Sequence, residues 1–206
     1  MDWESIISLI IALLVVVALP LAFRRRKKAG PQKGEELCQH LKETGVKASL
    51  VEKGNEREKI GPSRTSGQRS EGIITLQDKN IDSINIISAA SQYGTNYFLD
   101  YLVKSPNITA NRILKKTRLT VKKSSFLWGK VVAMEWKGDK SLAQSLNFDY
   151  RLKDRLLQRD VPGLKGSIGI FPEPKHGYTR IRTSYSLSSP EILEAMDIIA
   201  RHIKSW

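Results

Sequence analysis

The chain has 206 residues, 40% of them hydrophobic and 27% charged, with a formal net charge of +13 at pH 7. That length suits one domain or a linker plus one smaller domain, and the composition is that of an ordinary globular chain, with the apolar share inflated by the N-terminal segment. The single cysteine, Cys38, excludes an intramolecular disulfide and any cysteine-based zinc cluster. The charge is −2 through Phe23, +7 over residues 24–70 and +8 over residues 71–206, so it is not confined to one tail. Such a field attracts anionic lipid headgroups or nucleic acid without choosing between them.

Residues 1–5 form a short acidic head with Asp2 and Glu4, and residues 6–23 (IISLIIALLVVVALPLAF) carry no charge. A helix of that length spans about 27 Å, close to the hydrocarbon core of a bilayer, which predicts a single transmembrane helix. Pro20 falls in its last turn, where losing one backbone bond costs less than at mid-membrane. Arg24, Arg25, Arg26, Lys27 and Lys28 follow at once. Acids before and cations after the apolar run are the reverse of a cleavable signal peptide. The same asymmetry predicts an external N-terminus and a cytoplasmic C-terminal mass. The five cations are expected to meet anionic lipid, at about 1 kcal/mol each near the surface.

Residues 24–70 read as a basic juxtamembrane stretch and flexible linker, rich in Lys, Glu, Gly, Ser and Gln. Within it, residues 35–43 predict a short helix with Leu37 and Leu41 on one face and Gly45 as its stop, followed by a strand-like 46–51, a unit able either to stay in the linker or to dock on the main domain. The folded domain is expected over 71–206. Residues 73–76 read as a strand, 81–90 as strand or helix, and 97–103 as a strand with Tyr97, Leu99, Tyr101 and Val103 on one face after a turn at Gly94. Residues 119–123 and 128–136 continue the β character.

Residues 140–158 predict one helix capped by Asp139, with Leu142, Leu146, Leu152, Leu156 and Leu157 as its apolar stripe. Residues 167–171 and 178–187 read as a hairpin whose second strand sets Ile181 and Thr183 against Arg180 and Arg182, the arginines facing water or a partner. The final helix is the best specified. Ser189 caps it, Pro190 opens it, Glu191 and Glu194 lie in its first turns and Arg201, His202 and Lys204 near its end, matching the helix dipole. Ile192, Met196, Ile199, Ile203 and Trp206 repeat at helical spacing. The fold class is therefore α+β: a transmembrane helix, then an antiparallel sheet packed by helices on one face.

No catalytic constellation stands out. His40, His176 and His202 lie far apart, with no H-E-x-x-H spacing, and the last two read as solvated positions. No G-x-S-x-G elbow, Walker loop or dinucleotide fingerprint occurs, and Asp149 and Asp154 read as solvated helix faces. Neither a metal nor a cofactor is expected. Trp128, Trp136 and Trp206 read as packing residues. Lys115, Lys116, Arg118, Arg180 and Arg182 could gather on one sheet face as an anion-binding surface, although exposed strands of a basic protein carry such residues to discourage edge pairing.

These features lead to the expectation of a single-pass membrane protein whose basic cytoplasmic domain is a binding or scaffolding module near anionic lipid, with a protein partner. The rival is a membrane-surface enzyme acting on an anionic lipid or phosphorylated substrate held by Arg180 and Arg182. Nucleic acid is not favoured, because no recognition motif accompanies the charge.

Overall fold

The residue that follows the last of the five cations already belongs to a helix. The computed structural model describes residues 29–52, 67–105, 115–123, 131–157 and 168–205. Its helices are α1 (Ala29–Glu43), α2 (Lys140–Phe148), α3 (Tyr150–Leu157) and α4 (Pro190–Lys204). Its strands are β1 (Ala48–Leu50), β2 (Gln68–Leu76), β3 (Ser83–Ser91), β4 (Gly94–Lys104), β5 (Thr117–Lys123), β6 (Val131–Lys137), β7 (Gly169–Glu173) and β8 (Tyr178–Ser184). The strands form one antiparallel sheet in the order β1-β2-β3-β4-β8-β7-β5-β6. The architecture is α+β, with eight strands and four helices among the described residues. The predicted transmembrane segment, residues 6–23, lies outside them; within them, no helix is long and apolar enough to cross a membrane.

Strand alternation separates the two faces of the sheet. Ile84, Ile86, Leu99, Tyr101, Val103, Ile170 and Ile181 point to one face and join the core with Leu37 and Leu41 of α1, Leu142 and Leu146 of α2, Leu152 of α3 and Ile192, Met196, Ile199 and Ile203 of α4. The described helices thus cover this face. Tyr101 is fully buried there, its hydroxyl 2.8 Å from Ser188 Oγ. Burial pushes that hydroxyl above its ordinary pKa, although the bonds to Ser188 and Thr183 pull the other way.

Residues 33–52, expected within the linker as a short helix and strand able to dock on the domain, are docked on it. α1 starts before the predicted short helix, and Leu37 and Leu41 are both 0% exposed, so the segment is part of the core. Each such leucine contributes about 1.5–3 kcal/mol by leaving water, enough to dock a helix whose composition is otherwise polar. Two glycines bring it close: a Cβ on Gly34 would lie 3.8 Å from Gly72 Cα, and one on Gly72 would lie 3.6 Å from Gly34 Cα. At the helix end, Val46 N donates to Leu41 O and Gly45 N to Lys42 O before β1 pairs with β2. Residues 53–66, the most polar part of the predicted linker, lie outside the described residues.

The hairpin of β7 and β8, the strand character of 97–103 and the capped final helix stand as expected. Residues 81–90 resolve to strand. Ser189 Oγ accepts from Ile192 N at the start of α4. Trp136 is 4% exposed and packs in the core; Trp128 and Trp206 lie outside the described residues. The single helix expected over 140–158 is instead two, broken at Asp149, which takes an extended conformation.

Asp149 is not a solvated face, and His202 is not a solvated helix end. Asp149 accepts from Leu152 N at 3.0 Å, capping α3, and its other oxygen lies 2.8 Å from His202 Nε2 on α4. Burial would raise the Asp149 pKa, but the His202 contact and the amides of Leu152 and Arg151 outweigh it and hold the carboxyl below its ordinary value. A carboxyl lowered by folding contributes stability above its unfolded pKa, and that contribution is lost as pH falls through the folded value.

Two outcomes follow from this packing. Leu41→Ala is expected to reduce unfolding free energy in urea by about 2–5 kcal/mol, whereas a free tether would leave it unchanged. Asp149→Asn should cost about 1–2 kcal/mol near neutral pH, and the gap from the parent should close as pH drops below about 4.

Candidate functional site

The opposite face of the sheet holds the basic residues singled out in the sequence. In the antiparallel register Arg182 lies opposite Asp100, and Arg180 opposite Leu102 and Phe171. Phe171 and Glu173 on β7, Phe98 and Asp100 on β4 and Arg118 on β5 share this side by alternation. None of the described helices packs on it. Ile73, Ile87, Leu102 and Asn85 are nevertheless buried, whereas Lys116 and Arg118 toward β5 are exposed.

Asp100 organises the site. Its side chain is 2% exposed, and it accepts two bonds from Arg182, Nε to Oδ1 at 2.6 Å and Nη2 to Oδ2 at 2.7 Å. Such a bidentate fork fixes both orientation and charge. Arg180 reaches Asp100 with Nη1 at 3.4 Å and Glu173 with Nη2 at 2.6 Å. Arg182 also donates to Gln68 Oε1 at 3.3 Å. Burial acts to lower the Arg182 pKa, but the Asp100 bond and the fields of Asp100 and Glu173 prevail and raise it.

Expected to face water or a partner, the arginines are held mainly against acids of the same sheet. The sequence reading did not couple these acids to them. Asp100 interrupts an apolar strand (YFLDYLV), an anomaly that signals a buried partner, but its pairing with Arg182 depends on β4 lying beside β8. Chain order puts more than seventy residues between those strands.

The cations also gather around an aromatic ring. Lys116 Nζ lies 3.9 Å from the Phe171 ring centroid, Arg180 Cζ 5.0 Å and Arg182 Cζ 5.9 Å, with Arg182 also 5.4 Å from Phe98. All four contacts fall within the range of cation–π attraction. Partial burial and the fields of Arg118, Arg180 and Arg182 lower the Lys116 pKa. The structure thus brings Lys116, Arg118, Arg180 and Arg182 together, while Lys115 stands exposed just before β5. Four cations share the face with Asp100 and Glu173, leaving a positive excess. Arg24, Arg25, Arg26, Lys27 and Lys28 lie outside the described residues.

The face can hold an anionic group through the exposed Lys116 and Arg118. Among the described residues it sets no nucleophile beside a base. Among the described residues, no cluster of three or more His, Cys, Asp or Glu could hold a metal. His176 is exposed and stacks on Tyr178, with ring centroids 5.8 Å apart. No family model, curated protein or solved structure matches the chain.

Removing the buried acid separates structure from surface charge. Asp100→Asn should lower stability by about 3 kcal/mol, because it leaves two guanidinium groups short of their counter-charge. Lys116→Ala and Arg118→Ala should each change it by less than about 0.5 kcal/mol. Urea unfolding of the three variants checks this ordering.

Proposed function

We propose that the chain is a single-pass membrane protein, anchored through residues 6–23, whose basic α+β domain serves as a binding or scaffolding module at the cytoplasmic face, close to anionic lipid. One observation carries the reading. Eighteen uncharged residues are followed directly by five cations, a pattern that suits a bilayer span and its cytoplasmic boundary. The positive excess around Phe171 supports an anionic ligand or surface for the domain, and a protein partner would add contacts beyond that charge.

The alternative is an enzyme that works at the membrane surface on an anionic lipid or phosphorylated substrate. Arg180 and Arg182 do converge with carboxylates, as that reading requires. Their hydrogen-bonding edges, however, are engaged by Asp100 and Glu173 instead of turning toward an open cleft. The binding-module reading is therefore preferred.

Topology tests the proposal. Protease added outside sealed cells should leave the domain intact, and alkaline carbonate should leave the chain in the membrane fraction. Digestion from outside would reverse the orientation, and release by carbonate would remove the anchor.

A further inference from the structure

We infer that the end of the sheet bearing the β3–β4 turn, with Tyr93 at its tip, is the surface of the domain that meets the lipid headgroups. The inference rests on the anchor reading above and adds to it the direction in which the domain is held.

The direction comes from the path of α1. Lys33, near its start, has Nζ 4.8 Å from the Tyr97 ring centroid and 4.4 Å from that of Tyr185. Tyr97 stands early in β4, and Tyr185 N donates to Tyr97 O at 3.0 Å, so this is the level of residue 97 in the sheet. Seven residues later, His40 Nε2 donates to Ser188 O at 3.0 Å, and Ser188 Oγ meets the Tyr101 hydroxyl. α1 therefore runs alongside β4 in the same direction. Traced backward from Lys33, the helix axis heads toward Gly94, where β4 begins and the turn from β3 closes.

This end is held firmly. Lys33 sits against two aromatic rings that themselves meet edge to face, with centroids 6.2 Å apart. The Tyr185 hydroxyl lies 3.4 Å from both Lys33 O and Glu36 Oε2. Burial, then the Glu36 carboxylate, push that hydroxyl up to about 12, so it remains a donor at any physiological pH.

Chain length supplies the rest. Five residues separate Phe23 from Ala29, and the six steps across them reach about 20 Å at full extension. The eleven residues of β4 span about 35 Å, so the turn end lies much nearer the anchor than the end carrying the β2–β3 turn. At the near end, the two-residue turn between Ser91 and Gly94 presents Tyr93, 90% exposed, and the exposed Arg69 at the start of β2 lies opposite Ser88, three residues before β3 ends. An exposed tyrosine with a nearby cation suits an interface where one part of the ring is apolar and the other wet.

The test uses the full chain in vesicles of phosphatidylcholine and phosphatidylglycerol. An environment-sensitive fluorophore is attached at Tyr93→Cys, Lys79→Cys or Arg118→Cys, three exposed positions, with Cys38 protected by its burial. Headgroup-nitroxide lipid should remove most of the emission at position 93 and leave position 79, on the β2–β3 turn, unchanged. Stronger quenching at 79, or at 118 on the helix-free face, in chains that resist carbonate extraction would overturn the inference while the anchor stands. Release by carbonate would overturn the anchor reading and this inference together. Retained circular dichroism in each variant confirms that the readings come from folded protein.

Discussion

The fold depends on the docking of α1 against β1, β2 and β3. Close approach at Gly34 and Gly72 lets Leu37 and Leu41 reach the core, where both are fully buried. Without the helix, Ile84 and Ile86 on the same side of the sheet would lose part of their cover, since these residues share one cluster with the two leucines. The constraint also reaches beyond stability. A helix that begins beside the five-cation run and is fixed to the sheet leaves little slack between the proposed anchor and the domain.

The two faces of the sheet are specialised by the same alternation. One face buries aliphatic side chains against helices, and the other is built around a charged residue, Asp100, that is as buried as the core. A buried carboxylate is tolerated when several donors meet it, and here Arg182 supplies two bonds and Arg180 a longer third. The arrangement is a structural clamp between β4 and β8. Lys116 and Arg118 stand outside the clamp and remain exposed.

Local patterns in the sequence were sufficient where the signal was local. Ser189, Pro190 and the spacing of Ile192, Met196, Ile199 and Ile203 specify α4, and the alternation about Ile181 specifies β8. What escaped depends on distant contacts. The helix around Leu37 and Leu41 is legible from their spacing, but whether it docks is not, because most of its residues are polar and only the sheet beneath shows why two leucines suffice. Asp149 sits within a continuous helical pattern, and its capping of α3 and contact with His202 require α4 to pass nearby. For the candidate site, the cations were legible as a group, while Asp100 and Glu173 were not coupled to them. Their coupling follows from strand order, which composition does not encode.

The central claim is that α1 belongs to the folded unit. Amide hydrogen exchange across residues 34–43, measured on the full chain, tests it most directly. The account predicts protection comparable to that of β3 and β4, because those amides open only when the core opens. Exchange at the rate of an unstructured chain would contradict it and restore a free tether.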